Sequence, residues 1–396
     1  MRRRALALVL AAAAAAGGLA VLLRPRAPSP PGFDPAVARS VVESYSRLMH
    51  ALYSDAVVQA ESLRGAVAEF IDRPTPEGIQ ACRDAWLAAR PVYLQTEVAR
   101  FYEGPIDGGA DAPEKLLNAW PLDEAYIDYV RGDPGAGIIN DPARYPRIDR
   151  ATLRGANEQG GEANIATGWH AVEFLLWGQD LELGPGGGKR PHLDYVPGGG
   201  AGARRAAYLR TCADMIVEDL VLLREQWAPG KPDNYRSWLA GLEPRNALGK
   251  IMTGVATLAF GELRGERLIT PYTTKDREDE HSCFSDSTHL DHLNDMIGIR
   301  NVWTGRHRDL AGPGLRDLAP DPRLAARVDA SLEDCLEALR DPRMAPFETA
   351  IQGLDSDPGR RAVHAAIQRL LEFNEAFFEL STRMGVPINT QLQKGP

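Results

Sequence analysis

The sequence predicts an all-α fold of two four-helix-bundle-like domains that follow an N-terminal export segment. Apolar residues recur with helical spacing through most of the chain, and runs of alternating β-branched residues are scarce. Aspartate-proline and threonine-proline pairs stand where several of the apolar stripes begin. Long amphipathic helices must bury their apolar faces against one another, and a helix bundle is the arrangement that does so.

The composition is that of a soluble globular protein. Of 396 residues, 44% are hydrophobic and 25% are charged, which excludes a wholly disordered chain and a polytopic membrane protein. The 45 basic and 54 acidic residues give a formal net charge of -9. Because a basic footprint is missing, we do not expect a nucleic-acid partner.

The first 31 residues have the pattern of an export segment. Arg2, Arg3 and Arg4 precede an unbroken apolar run from Ala5 to Leu23, and a proline-rich linker follows. The run is long for a cleaved signal peptide and nearly long enough to span a bilayer, so both a signal peptide and a membrane anchor fit it. We therefore expect the body of the chain in the periplasm or the cell envelope.

The helices of the body are predicted from their start signals and their stripes. Asp34-Pro35, Thr75-Pro76 and Asp321-Pro322 each suit an N-cap followed by the first helical residue. The clearest stripe contains Leu209, Cys212, Ile216, Leu220, Leu223 and Trp227. A glycine-rich stretch from Gly184 to Gly202 divides the body into a first bundle, residues 32–185, and a second bundle, residues 203–396.

The four cysteines are widely spaced and form no CxxC pair, which argues against zinc-ribbon and thioredoxin-like sites. Cys212 and Cys335 fall on apolar stripes and suit small core residues. Disulfide pairing remains the alternative for an exported chain.

The sharpest local motif is GWHAVEFLLWG, from Gly168 to Gly178. His170 and Glu173 are three residues apart, so a helix places both side chains on one face. Such a pair can bind a transition metal together, or the carboxylate can orient the imidazole as a general base. The alternative is a plain hydrogen bond at a helix interface. Neither HExxH nor HxxEH is present, which argues against a zincin-type peptidase.

A second stretch, Lys275 to Asp295, holds His281, His289 and His292 among many acidic residues. It is rich in potential metal ligands, although a solvated acidic loop is the alternative. Ser282, Cys283 and Ser285 stand beside His281, but no nucleophile elbow accompanies them.

A third stretch, TEVARFYEGPID with NAWPLDE, brings Glu97, Arg100 and Asp123 among aromatic residues. Alone it is as typical of a core with a solvated acidic face as of a binding cleft.

The three stretches together resemble the imelysin family of exported bacterial proteins. Its GxHxxE hallmark is matched by Gly168, His170 and Glu173, and the similarity includes 96–124 and 278–289. The EDEHSCFSD form resembles the iron-regulated subgroup. The resemblance implies two four-helix bundles related by duplication, with the GxHxxE helix near their interface, and it implies a role in iron or haem acquisition or a peptidase activity.

We therefore expect an exported iron-binding protein that serves iron uptake and meets uptake proteins of the inner or outer membrane. The expected metal ligands are His170 and Glu173, completed from Glu97, Asp123, His281 and His289, with Gly168, Arg100 and Asp286 in support. Iron or another divalent or trivalent metal suits such oxygen and imidazole donors. The alternatives are a metallopeptidase and a haem-binding envelope protein with His170 as an axial ligand. Covalent c-type haem is excluded because CxxCH is missing.

Overall fold

A computed structural model describes residues 32–109, 112–182, 184–198 and 200–389. The predicted export segment, residues 1–31, lies outside the described residues. The all-α prediction is confirmed for the described part of the chain, which contains only one two-stranded hairpin.

The α-helices, in chain order, are α1 Pro35–Asp72, α2 Pro76–Leu94, α3 Glu114–Leu117, α4 Glu124–Ile127, α5 Gly137–Asn140, α6 Arg150–Ala156, α7 Gly168–Trp177, α8 Ala201–Gln226, α9 Tyr235–Gly241, α10 Pro244–Thr257, α11 Thr270–Thr274, α12 Thr288–Thr304, α13 Pro322–Leu339, α14 Phe347–Gln352 and α15 Pro358–Met384. A π-helical segment, Leu258–Ile269, continues α10 into α11. Short 3-10 helices span Glu97–Ala99, His192–Tyr195, Arg277–Asp279, Leu315–Leu318 and Pro342–Met344. The hairpin pairs β1, Arg306–His307, with β2, Leu310–Ala311, in antiparallel register, Arg306 opposite Ala311.

The predicted helix starts are confirmed. The Asp34 carboxylate accepts a hydrogen bond from the Ala36 amide, and the Thr75 hydroxyl accepts one from the Gly78 amide. Asp321 accepts from two amides of the first turn of α13. In each case proline takes the first helical position, where a missing N–H costs no intrahelical hydrogen bond.

Four helices form the first group. α1 packs along both α2 and α8, while α7 packs between α2 and α8. A second group consists of α12, α13, α15 and the continuous α10 and π-helical segment. Each group buries the apolar stripes that the sequence predicts, and one continuous apolar core joins them. The relation of the two groups by duplication stays a prediction.

Helix α8 differs from the predicted division of the chain. Its residues, 201–226, fall at the start of the second predicted domain, yet α8 packs on α1 and α7 of the first group. The glycine-rich stretch is therefore a connection within the first group, and the passage to the second group comes after α8. The reason is the α8 stripe, from Leu209 to Trp227, which is buried against first-group helices.

The two groups meet around the turn that follows α2. The 3-10 helix Glu97–Ala99 contacts α10 and α12, and α12 also packs directly on α2. Trp169, in the first turn of α7, has its ring 5.5 Å from that of Tyr93 near the end of α2, so the GxHxxE helix is close to the junction of the groups.

All four cysteines are buried free thiols. Burial raises the pKa of Cys82 to about 12 and raises the pKa values of Cys212, Cys283 and Cys335 as well. Within the described ranges, no helix combines the length and apolar character that a bilayer crossing requires.

Candidate functional site

Helix α7 begins at a glycine that the packing requires. Gly168 has φ of +90°, and a Cβ atom built there would lie 2.4 Å from the carbonyl oxygen of Leu117. Only glycine fits this close approach without strain. All ten residues of α7 are buried, so His170 and Glu173 are both held away from solvent.

His170 and Glu173 face each other, as their spacing predicts. Nδ1 of His170 lies 3.1 Å from Oε2 of Glu173, and Nε2 lies 3.2 Å from Nη2 of Arg90. A guanidinium can only donate, so Nε2 is the acceptor and Nδ1 carries the proton that is donated to Glu173. Burial, then Arg90, lowers the pKa of His170 far below its usual value, which keeps the ring neutral.

Arg90, on α2, is the centre of the buried polar cluster. Its guanidinium donates to Nε2 of His170 and, at 3.0 Å, to Oδ2 of Asp291 on α12. It also donates to the amide oxygen of Asn118. Arg90 is 1% exposed and Asp291 is fully buried. An unpaired charge is costly to bury, so Arg90 and Asp291 are buried as a pair. With the hydrogen bond to His170, the contacts of Arg90 link α2, α7 and α12.

His281 lies against His170, with ring centroids 4.7 Å apart. Nδ1 of His281 lies 2.8 Å from the Asp291 carboxylate and 3.3 Å from Nη2 of Arg90. The shorter contact is to an oxygen that accepts, so Nδ1 donates to Asp291 and Nε2 keeps its lone pair. Burial, then Arg267 and Arg90, lowers the pKa of His281 far below its usual value. Within the described part of the chain, Nε2 of His281 has no hydrogen-bond partner.

The carboxylate of Glu173 is held by the segment that follows His281. Its Oε1 accepts from the amide of Ser285 at 3.0 Å and from the Ser285 hydroxyl at 2.6 Å. Burial raises the pKa of Glu173 to about 8, against the opposing effect of the Ser285 hydroxyl and of Arg90. The motif therefore couples α7 to the segment from Glu280 to Thr288, which is buried and is not a solvated loop.

Glu97 lies in the neighbouring polar network. Tyr93 and Asn118 donate to its Oε1, and Arg100 and Arg267 donate to its Oε2. Burial raises the pKa of Glu97, but Arg100 and Arg267 outweigh it, so the pKa is lowered. Both oxygens of Glu97 are satisfied by protein donors, and Arg100 serves as one of its counter-ions.

A cleft of about 460 Å³ opens beside His281. Trp120, whose ring lies 4.9 Å from that of His170, forms part of its wall. Among the described residues, the basic ones that line the cleft are Arg100, Lys115 and Arg267. The acidic residues that line it are twice as many: Glu114, Glu158, Glu162, Glu262, Glu266 and Asp279. The cleft therefore favours cations.

Three of the sequence-predicted residues lie elsewhere. Asp123 is exposed and caps α4 through the amide of Ala125, so it takes no part in the buried cluster. His289, on α12, is partly buried, and its Nδ1 has no hydrogen-bond partner among the described residues. Asp286 accepts from the amide of Gly187 and faces a different acidic group.

The residues that spacing did not single out are Arg90, Asn118 and Asp291. Arg90 follows Trp86 by four positions, so a charged residue stands on the apolar face of α2, which is itself a signal of a buried ion pair. Nothing local identifies its partners, because His170, His281 and Asp291 are 80 or more residues away.

Comparison with known proteins gives consistent matches. A family model described as Imelysin matches residues 49–376. Iron-regulated protein A of Synechococcus elongatus is 24% identical over 298 residues, which are 72% of this chain and 70% of that protein.

Two solved structures share the fold. A protein described as an iron-regulated protein A precursor, from Parabacteroides distasonis, superposes with a TM-score of 0.68 at 16% identity, covering 89% of this chain and 96% of that one. An imelysin-like protein from Psychrobacter arcticum gives a TM-score of 0.63 at 13% identity, covering 91% and 99% of the two chains. At sequence identities this low, the two structures establish a shared fold only.

Proposed function

This chain belongs to the imelysin family, and on that premise we propose that it is an exported protein that binds iron as cargo for an uptake system of the cell envelope. The observation that carries the proposal is the acidic cleft with His281 in its wall. Nε2 of His281 is a neutral imidazole nitrogen whose lone pair no described group engages. One imidazole in a cleft lined by carboxylates offers the donor types that suit Fe(II) and Fe(III).

We assign His170 and Glu173 a positioning role in this proposal. Both nitrogens of His170 are engaged, one by Glu173 and the other by the cationic Arg90. An iron ion on Nε2 would have to displace a buried guanidinium. The pair instead holds Arg90, and Arg90 holds the Asp291 carboxylate that fixes the ring of His281.

The name of the Synechococcus relative, Iron-regulated protein A, supports the choice of iron. The basic start and apolar run of residues 2–23 support export to the periplasm or envelope. The partner in this proposal is an iron-uptake protein of the inner or outer membrane.

The two alternatives are less favoured by the geometry. Haem carries two anionic propionates, which an acidic cleft repels. A peptidase would need a metal-activated water held by ligands with open lone pairs, and those of His170 are engaged.

Iron binding is tested by metal analysis of the protein purified without chelators and then titrated anaerobically with Fe(II). The set consists of the parent, His281→Ala, a His170→Ala and Glu173→Ala double variant, and His364→Ala. His364 is an exposed histidine on α15 and serves as the matched control. We expect near-stoichiometric iron in the parent and in the control, and binding at least tenfold weaker in His281→Ala.

The variants separate the parts of the proposal. Iron bound as tightly by His281→Ala as by the parent would contradict the cleft site, and no iron in the parent after reconstitution would contradict cargo binding altogether. The double variant should also bind more weakly, because Arg90 and His281 lose their support. Parent affinity in the double variant would remove the positioning role and leave the cleft site intact.

A further inference from the structure

A second acidic group lies outside the acidic cleft beside His281. Asp180 follows α7, Asp286 precedes α12, and Glu348 is on α14, yet one ligand oxygen from each lies within 4.8 Å of the others. The three residues are 9%, 7% and 0% exposed. Carboxylates that are this close together and this well shielded from solvent repel one another strongly unless a proton or a cation compensates their charge.

The spacing matches that of oxygens around one hard cation. Calcium binds oxygen at about 2.3–2.6 Å, so two oxygens that share the ion are at most about 5 Å apart. The group offers only oxygen donors, with no thiolate or imidazole. Such a set selects Ca²⁺, Mg²⁺ or Mn²⁺ over softer metals.

Buried oxygens without hydrogen-bond partners point to the same place. Glu280 is 1% exposed, and in the described part of the chain no donor reaches either of its carboxylate oxygens with the length and angle of an ordinary hydrogen bond. Burial raises the pKa of Glu280 against the opposing effect of the nearby Thr288 hydroxyl, and the charges of Glu348 and Asp286 raise it further. Oδ1 of Asp286 is also buried and without a partner among the described residues. Burying an ionised carboxylate without a partner costs free energy, whereas coordination to a cation offsets that cost.

Among the described residues, Arg277 is the cationic side chain that touches the group. Arg277 donates to Asp180 and lies 3.1 Å from Oε2 of Glu348. The three carboxylates of the group and Glu280 share this guanidinium, so when they are ionised their negative charge exceeds its positive charge. The Arg277 side chain is 18% exposed and has solvent beside it into which it can turn.

We propose that Asp180, Asp286 and Glu348, with Glu280 beside them, bind one hard divalent cation of the calcium class. A cleft of about 340 Å³ lies beside the group and is lined by Asp180 and by Gly187, whose amide donates to Asp286. None of these four carboxylate residues lines the acidic cleft beside His281. The cation steadies the segment in which Ser285 holds Glu173 and thereby supports the GxHxxE helix from outside.

The experiment is a calorimetric titration of Ca²⁺ into the purified full-length protein after removal of metal with EGTA, with Mg²⁺ and Mn²⁺ in parallel. The variants are Asp286→Asn and Glu280→Gln, both isosteric, and the control is Glu61→Gln on the exposed face of α1. Asp286 has φ of +57°, a conformation that asparagine adopts readily, so this variant should fold. Glu280→Gln carries the test on its own if it does not.

We expect one Ca²⁺ per chain in the parent and in Glu61→Gln, with a rise in Tm on adding calcium. Asp286→Asn should weaken the Kd at least tenfold and Glu280→Gln several-fold, and both should lose most of the calcium-dependent rise in Tm. His281→Ala should keep the parent's calcium affinity, which separates this site from the acidic cleft beside His281. Absence of Ca²⁺ binding by the parent at millimolar concentration would overturn the proposal, as would parent affinity in both variants.

Discussion

Asp219, on α8, is a carboxylate that solvent barely reaches. It is 3% exposed, its Oδ1 lies 3.4 Å from Arg154, and its Oδ2 has no hydrogen-bond partner among the described residues. Burial raises the pKa of Asp219 to about 6, although Arg154 opposes the change. In the unfolded chain the pKa of an aspartate is about 3.9. The folded state therefore holds the proton more tightly than the unfolded state.

We predict that Asp219→Asn stabilises the protein near neutral pH. The protonated carboxyl contributes stability below about pH 4, and this contribution is lost as the pH rises toward 6. Relative to the parent, the asparagine variant should gain about 1–3 kcal/mol in free energy of unfolding at pH 7 and almost nothing at pH 4. Urea unfolding at several pH values between 4 and 7 measures it. A difference that stays constant over this range would show that Asp219 does not titrate in this way.

At the same scale, the sequence predicts the His170 and Glu173 pair because helical spacing alone brings them together. It does not predict that Arg90 donates a hydrogen bond to Nε2 of His170. That contact depends on how α2 packs on α7, which no local pattern encodes. That His170 is a direct metal ligand stays a prediction from the motif, and the contact of Arg90 with Nε2 of His170 is what the spacing does not encode.

Among the elements, α7 depends most on a single backbone position. Gly168 places its first turn against the carbonyl of Leu117, at a distance that leaves no room for a side chain. His170 is two residues further on, so a shift of this turn moves the imidazole as well.

We predict that Gly168→Ala lowers the free energy of unfolding by about 2–4 kcal/mol, since the methyl group combines a left-handed backbone with a backbone clash. Chemical denaturation followed by circular dichroism measures the loss. Gly65, in α1, has open space at its Cβ position and is the control. Gly65→Ala should be neutral or stabilise by up to about 1 kcal/mol. Equal effects of the two substitutions would remove the packing argument.

Start signals and stripes were enough to predict the long helices. Asp34, Thr75 and Asp321 cap the helices that they were expected to cap. The partner of each stripe is a different matter, because an apolar face fits any other apolar face of similar width. This is why chain order assigned α8 to the second domain while its packing joins it to the first group.

For the molecule as a whole, Arg267 connects the two helix groups. Its guanidinium donates to Glu97, after α2, at 2.6 Å and to Asp295, on α12, at 2.7 Å. All three side chains are at most 4% exposed. The junction of the groups is therefore ionic as well as apolar.

We predict that Arg267→Gln lowers the free energy of unfolding by about 3–5 kcal/mol, because it leaves Asp295 and part of Glu97 as uncompensated buried charges. Arg327 forms an ion pair of similar length with Glu379, but on the surface. Arg327→Gln should cost less than about 1 kcal/mol. Urea denaturation of both variants compares them, and a small loss in Arg267→Gln would show that the junction does not depend on this network.

The composition of the candidate site was partly predictable at this scale. His281 and Glu97 were expected near the motif, and both lie at the junction of the groups. Asp123 was expected there on the strength of its neighbours in sequence, but its carboxylate turns outward to cap α4. The group of Asp180, Asp286 and Glu348 draws on three distant segments and becomes visible only when the chain is folded.

The burial of the four thiols determines how they react with reagents in solution. A thiol attacks as its thiolate, and burial both raises the pKa of each cysteine and shields its sulfur. An alkylating reagent in the surrounding fluid therefore meets no sulfur until the chain opens. Cys82 and Cys212 belong to the first helix group and Cys335 to the second, so the order in which they become modified records which group opens first.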